Sequence, residues 1–165
     1  MKKLILAFIS TVLFSSCFLF YTFKDISIEP DVKTFYVDEF QNDAFNSPPT
    51  INQDFAEALR KKIVNETRLT YDERNPDIVF YGSIKSFTVT PQAPTQEGAS
   101  LNRLDIKIQV KYENNLHENE NWEQTFGYYA DFQAEKSLFD VQDELIKEIF
   151  DQILDDVINK AFNNW

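Results

Sequence analysis

The sequence predicts an α+β domain, a two-layer sandwich in which two helices pack on one face of a four-stranded, mostly antiparallel sheet. Three observations lead to this fold. The predicted elements follow the order β-α-β-β-β-α, and three successive strands joined by turns favour antiparallel pairing. The stretch "RLDIKIQVKY" alternates between apolar and polar residues, which is typical of a sheet with one buried and one wet face. Both helices are apolar along one side only, and a two-layer sandwich buries these surfaces together.

The composition limits the class of protein. The chain has 165 residues, of which 43% are hydrophobic and 15% aromatic, and this is enough for one packed domain. The net charge of -11 argues against a nucleic-acid partner, because phosphate binding needs clustered Lys and Arg. The single cysteine excludes an internal disulfide bond.

The amino-terminal segment resembles a bacterial lipoprotein signal. Lys2 and Lys3 precede an apolar run over residues 4–14, and two serines then lead to Cys17. We therefore expect a signal peptide over residues 1–16. The lipid-modified cysteine would then be the mature amino terminus.

The remaining chain divides into a tether and a domain on this interpretation. We expect a lipidated tether over residues 17–30 and a single domain over residues 31–165. Several acyl chains on Cys17, palmitate among them, would hold the protein firmly at a membrane. Residues 4–23 are also long enough for a membrane-spanning helix, and a fully secreted chain is a further alternative.

The first strand and the first helix occupy the segment 33–66. The stretch "KTFYVDEF" alternates in the manner of a strand, with Phe35 and Val37 on its apolar side. A loop with two prolines ends the strand, and Thr50 followed by Gln53 is a capping-box signal for a helix start. One face of that helix is apolar and consists of Ile51, Phe55, Ala58, Leu59 and Ile63.

Three strands follow. In the long strand "DIVFYGSIKSFTVTP", Gly82 could mark a bulge, and the candidates for burial are Val79, Tyr81, Ile84 and Phe87. The strand "LNRLDIKIQVKYEN" alternates most cleanly, and its core side holds Leu104, Ile106, Ile108, Val110 and Tyr112. The third strand, "WEQTFGYYADF", brings aromatic residues to both of its faces. Outward-facing Tyr128 and Tyr129 would suit a partner surface, and core packing is the alternative.

The last helix covers "SLFDVQDELIKEIFDQILDDVINKAFNNW". Ser137 and Asp140 can cap its start. Its apolar stripe drifts around the helix axis, as expected for a helix that lies across a twisted sheet. The stripe consists of Leu138, Val141, Leu145, Ile149, Ile153, Val157 and Ala161.

A row of cations lies on the wet face of the central strand. Arg103, Lys107 and Lys111 project from the same side, and only Asp105 offsets them within the strand. Such a row is uncommon in a chain this acidic, and it could bind phosphate or carboxylate groups. Ordinary protection of a sheet surface by long charged side chains is the alternative.

The sequence offers no clear catalytic or metal-binding set of residues. His117 lies beside Glu118 and Glu120, but a second imidazole or thiolate is missing, so we expect a solvated loop histidine. Asp151 and Asp155 lie one turn apart on the polar side of the last helix. We expect no enzyme activity, no metal and no cofactor, and a hydrolase built on paired carboxylates is the alternative.

Four stretches of the chain are familiar as a set: "SIEPDVKTFYVDEFQND", "LNRLDIKIQVKYEN", "YADFQAEKSLFDVQDELI" and "DDVINKAFNNW". With the lipoprotein-type leader, they resemble the LptE family of lipopolysaccharide-assembly lipoproteins over about residues 25–165. The most specific parts are the strand opening at Arg103 and Leu104 and the carboxy-terminal helix that ends in Asn-Trp.

The resemblance implies a non-enzymatic α+β protein that is lipid-anchored in the outer membrane and faces the periplasm. Such proteins plug the β-barrel protein LptD, assist its assembly and help deliver lipopolysaccharide to the outer leaflet. The cationic row of Arg103, Lys107 and Lys111 is our own candidate for the lipopolysaccharide contact and is not carried over from the family. A lipid-anchored acidic binding module for another envelope partner is the alternative function.

Overall fold

The structure is a computed structural model that describes residues 28–93 and 100–162. The predicted signal peptide, Cys17 and the terminal Asn-Trp therefore lie outside the described residues. Within the described part, the elements are β1 (Thr34–Asn42), α1 (Ile51–Glu66), β2 (Thr70–Tyr71), β3 (Ile78–Pro91), β4 (Leu101–Asn114), β5 (Trp122–Gln133) and α2 (Leu138–Phe162). A short 3-10 helix, Glu118–Glu120, lies between β4 and β5. No helix in this part is both long and apolar enough to span a bilayer.

The strands form one mixed sheet, which corrects the predicted four-stranded, mostly antiparallel sheet. The spatial order is β2-β1-β3-β4-β5. β1 runs parallel to its two neighbours, β2 and β3, whereas β4 is antiparallel to its two neighbours, β3 and β5. The prediction missed β2 because two residues are too short to show alternation. It also missed the parallel pair, although a strand, a helix and a returning strand are the usual components of a parallel crossover.

Both helices lie on the same face of the sheet, as predicted. α1 packs on β1 and α2 packs mainly on β5. The Phe55 ring of α1 lies 5.1 Å from the Phe40 ring of β1 and 5.1 Å from the Phe150 ring of α2, measured between centroids. Phe80 of β3 contacts Phe162 near the end of α2, at 6.1 Å between ring centroids. The core is therefore one aromatic and aliphatic layer between the sheet and both helices.

The burial of β3 differs from the prediction in its first half. Ile78 and Phe80 are fully buried against the helices, and Val79 and Tyr81 are only half-buried on the other face. The sequence placed Val79 and Tyr81 in the core. Apolar residues occupy both alternating sets of positions in this part of the strand, Ile78 and Phe80 as well as Val79 and Tyr81, so the pattern fits either set. The register with β4 decides between them.

A bulge lies in β3 at Lys85 and not at Gly82. The pairing of β3 with β4 shifts by one residue between Ile84 and Ser86. The extra residue reverses the alternation, so that Ile84 and Phe87 are both buried although they are three positions apart. Gly82 has a different role, which is to let a neighbouring strand approach closely.

The capping box predicted at the start of α1 is absent. Thr50 has φ -96° and ψ -2°, which is helical geometry and not the extended geometry of a capping residue. Its hydroxyl donates to the Asp54 carboxylate at 2.9 Å and makes no cap hydrogen bond. At the start of α2, the Asp140 N–H donates to the Ser137 carbonyl at 3.1 Å.

Candidate functional site

The sheet face opposite the helices, here called the open face, carries the predicted cationic row. β4 alternates as predicted, with Leu104, Ile106, Ile108, Val110 and Tyr112 buried on the helix side. Arg103, Asp105, Lys107, Gln109 and Lys111 therefore share the open face. The structure thus places the three cations on one strand and on one side of it.

Arg103 is held firmly by the neighbouring strand. Its Nε and Nη2 donate to the two carboxylate oxygens of Asp131 on β5, at 2.7 and 2.8 Å. The guanidinium carbon lies 3.6 Å from the centroid of the Tyr129 ring, which is a cation–π contact. The hydrogen bond with Asp131 raises the pKa of Arg103, and the same hydrogen bond lowers the pKa of Asp131. This geometry fixes the orientation of the guanidinium, and the Asp131 carboxylate balances its positive charge.

Lys111 also forms an ion pair across the strands, whereas Lys107 forms none with the described residues. The Lys111 Nζ lies 3.0 Å from a carboxylate oxygen of Glu123 on β5 and 5.8 Å from the centroid of the Tyr81 ring. Lys107 is exposed and forms no ion pair with any residue that the structure describes. The row therefore offers one cation that is free to meet an incoming anion.

Sequence reasoning missed the two carboxylates that neutralise the row. Asp131 and Glu123 lie 28 and 12 positions further along the chain than Arg103 and Lys111, and only the β4–β5 register places them opposite these cations. The alternating pattern of β5 gives its faces but not its register. A hairpin loop of standard length could have supplied the register, but the β4–β5 connection contains the 3-10 helix.

The two tyrosines predicted as a partner surface lie at the outer edge of the sheet. Tyr128 is 39% exposed and Tyr129 is 46% exposed. Their rings stack 5.9 Å apart with an angle of 16° between the planes. Tyr129 also lies under Arg103 on the open face, so the tyrosine pair continues the Arg103 and Asp131 cluster around the edge of β5.

His117 has long-range partners that the sequence did not predict. Its Nε2 lies 2.9 Å from an Asp31 oxygen and 3.0 Å from a Glu29 oxygen. Burial alone would lower the pKa of His117, but the hydrogen bond with Asp31 and the charges of Asp31, Glu29 and Glu120 outweigh it and raise the pKa. The cluster joins the start of the domain to the β4–β5 connection.

This cluster is also the place where the described residues could hold a metal ion. The ligand atoms of Glu29, Asp31 and His117 all lie within 4.8 Å of one another. The hydrogen bonds and charge attraction among the three side chains account for this spacing, and the two carboxylates are exposed. Arg68 supports the same segment, since its Nη2 donates to the carbonyl oxygens of Ile28 and Glu29 at 3.1 and 2.6 Å.

The carboxylates considered for hydrolysis are engaged in ion pairs. Asp155 lies 2.7 Å from the Nζ of Lys62 on α1, and Asp151 lies 3.0 Å from the Nζ of Lys147 one turn earlier. Asp155 therefore helps hold the two helices together. Neither carboxylate faces the other across a cleft, which is the arrangement that a glycosidase needs.

A comparison with protein families finds one match to the sequence. The model of the LptE family, described as "Lipopolysaccharide-assembly", matches residues 32–161. No curated protein matches the sequence. The predicted resemblance to the LptE family is therefore confirmed.

Solved structures share the fold at low sequence identity. A minor lipoprotein from Acinetobacter baumannii is 10% identical, with a TM-score of 0.51 and coverage of 78% of this chain and 91% of that one. The hypothetical protein CT253 from Chlamydia trachomatis is 10% identical, with a TM-score of 0.52 and coverage of 81% and 99%. Protein XCC0632 from Xanthomonas campestris is 6% identical, with a TM-score of 0.52 and coverage of 84% and 90%. These similarities show a shared fold.

Proposed function

Because the chain belongs to the LptE lipopolysaccharide-assembly family, we propose that it is a lipid-anchored component of the outer-membrane lipopolysaccharide translocon. The family match over residues 32–161 carries the proposal, because it covers nearly all of the described domain. LptE proteins are non-enzymatic components of lipopolysaccharide assembly in the cell envelope. The ion pair of Asp155 with Lys62 fits a non-enzymatic role, since it joins the two helices.

In this proposal the partner is an LptD-like β-barrel, which the protein plugs and helps to assemble. The open face carries charged residues in cross-strand ion pairs. Such a surface suits contact with water or with the polar interior of a barrel, and this supports the proposed partner. Copurification from outer membranes solubilised in detergent tests the partnership. A large β-barrel protein should copurify in stoichiometric amount, and the barrel should accumulate poorly in cells that lack this chain. Anchoring without any barrel would indicate instead a lipoprotein that serves another envelope partner.

Lys107 is the proposed point of contact with lipopolysaccharide phosphate, with Arg103 and Lys111 beside it. Lys107→Glu should weaken lipopolysaccharide binding by roughly tenfold, because one charge-assisted hydrogen bond is lost and a repulsive charge is gained. Arg74→Glu, in the β2–β3 turn, is the matched control, since it changes an exposed cation by the same amount and is expected to bind normally. Equal affinities of the two variants would exclude this contact site and would leave the barrel partnership standing.

A further inference from the structure

Among the elements that the structure describes, none covers one long edge of the sheet, which is the outer side of β5. β5 is last in the strand order, and of the described strands only β4 pairs with its 12 residues. The Ala134 N–H donates to the Ser100 carbonyl at 3.0 Å, next to the pair of Leu101 with Gln133. Antiparallel pairing alternates, so even-numbered residues of β5 point their N–H and C=O groups at β4. The outward groups belong to Glu123, Thr125, Gly127, Tyr129, Asp131 and Gln133.

Over most of the strand, these outward groups have no partner among residues 28–93 and 100–162. The Gln133 carbonyl accepts a hydrogen bond from the Lys136 N–H at 3.0 Å, which ends the free edge. From residue 123 to residue 131, no residue in the described part of the chain makes a hydrogen bond to an outward backbone group of β5. About nine residues of extended backbone are therefore open to pairing with another strand.

The opposite side of the sheet is protected by contrast. β2 pairs with Thr34 and Phe35, and beyond them β1 bulges, because its register with β3 shifts between Val37 and Phe40. There the Asp38 carboxylate accepts the Glu39 N–H at 2.7 Å. The Asn52 side chain of α1 donates to the Phe40 carbonyl at 2.8 Å. Bulges and local side-chain bonds are the usual means of blocking an edge, and β5 has neither.

The chemistry beside β5 indicates the kind of strand that fits. A groove of about 310 Å³ lies between the last residues of β5, from Asp131 to Gln133, and the first turns of α2. Its apolar lining includes Phe132, Val141 and Leu145. It is also lined by Glu144 and Glu148, which form no ion pair with the described residues, and by one cation, Lys136. A second copy of this chain would bring the same acidic residues together, and like charges on neighbouring strands and helices repel.

We propose that the outer edge of β5, residues 123–131, is a strand-addition site for an extended, basic segment of a partner protein. The main chain of that segment pairs with the outward groups of β5. Its basic side chains on the helix side reach Glu144 and Glu148, and its other side chains pass beside Tyr129. Gly127, at the middle of the edge, presents backbone without a side chain. Lys107 pairs with Gly127, so the edge adjoins the Lys107 contact, but the strand-addition site does not require the proposed translocon role.

A short synthetic strand of alternating lysine and valine is the probe. The full-length protein in detergent is titrated with this peptide, with a peptide that has glutamate in place of lysine, and with the lysine peptide N-methylated along its pairing edge. Backbone amide NMR and hydrogen exchange provide the readout. We expect shifts and slowed exchange at the outward amides of residues 123–131 with the lysine peptide, much weaker effects with the glutamate peptide, and none with the N-methylated peptide.

Thr125 supplies a matched pair of variants. Thr125→Pro removes an outward N–H and leaves the bonds to β4 intact, whereas Thr125→Val keeps that N–H. We expect Thr125→Pro to weaken the lysine peptide by roughly tenfold and Thr125→Val to bind normally, with thermal melting to confirm that both fold. Equal binding by the two folded variants, or peptide shifts confined to another surface, would overturn the proposal. Protection of the same amides by self-association without peptide would overturn the basic partner in favour of a second copy.

Discussion

The carbonyl oxygen of Gln109 lies only 1.9 Å from the point where a Cβ on Gly82 would be, and the Phe40 Cε1 lies 2.9 Å from it. Because the first atom belongs to the backbone of β4, the strand itself must move to admit a side chain. We expect Gly82→Ala to lower the free energy of unfolding by roughly 3 kcal/mol, at the upper end of overpacking costs. Urea unfolding measures this change.

Gly127→Ala is the control for Gly82→Ala. A Cβ at Gly127 would meet the Cγ of Lys107 at 3.2 Å, and that flexible side chain can move aside. We expect a change of less than about 0.5 kcal/mol. A similar loss of stability in both variants would show that strand glycines are costly to replace in general, and not that Gly82 marks a close approach.

His117 gives the stability of the domain a dependence on pH. Its pKa is raised in the folded state, so its ion pairs with Glu29 and Asp31 contribute fully below the unfolded-state pKa of about 6.5. The contribution is lost as the pH rises through the higher folded-state pKa. We therefore expect the difference in melting temperature between the natural chain and His117→Gln to be largest near pH 5 and to vanish near pH 9, as measured by thermal melts.

Gly82 and His117 owe their roles to residues that are distant in the sequence. The sequence correctly identified Gly82 as unusual but not the reason, because the reason lies in another strand. It predicted a solvated histidine at His117, and the partners are 86 and 88 positions earlier in the chain. Local patterns of charge around His117 could show Glu118 and Glu120 but not Glu29 and Asp31.

At the scale of elements, Phe55 connects three of them. Its fully buried ring contacts Phe40 on β1 and Phe150 on α2 in edge-to-face geometry. We expect Phe55→Ala to cost about 4 kcal/mol, since it removes these contacts and leaves a cavity. Phe55→Leu keeps most of the volume and should cost clearly less. Denaturant unfolding of both variants checks the order, and equal costs would mean that the lost ring contacts, which the two variants share, outweigh the cavity that only Phe55→Ala leaves.

The predictability of the elements follows their length and regularity. β4 and α2 are long and periodic, and the core face of β4 was predicted residue by residue. The stripe predicted for α2 contains half of its buried residues and omits Phe150, Leu154, Ile158 and Phe162. β2 has two residues, and the bulge at Lys85 moves the alternation of β3 without any local signal. The prediction of a capping box at the start of α1 was wrong, because the backbone at Thr50 is already helical. Sequence patterns thus give elements more readily than the contacts between them.

At the scale of the whole molecule, the predicted anchor decides where the acidic domain resides. The net charge of -11 gives no electrostatic attraction to an anionic membrane surface. We therefore expect Cys17→Ser to release the chain from the membrane fraction, as followed by fractionation and immunoblotting. An unchanged distribution of the variant between the fractions, together with an intact Met1 at the amino terminus of the natural chain, would favour the membrane-spanning alternative.

The contacts of Arg68 and His117 with residues 28–31, here called the clasp, also affect how the domain would respond to a pulling force. Arg68 and His117 hold residues 28–31 just before β1 begins, and β1 lies inside the sheet between β2 and β3. If a lipid at Cys17 is pulled away from the domain, the load travels through this clasp and then along the axis of β1. Strands loaded along their axis resist in shear, because their ladder bonds must fail together and not one by one. If the predicted lipid anchor is present, tension from it would therefore reach the sheet as shear on the hydrogen bonds of β1.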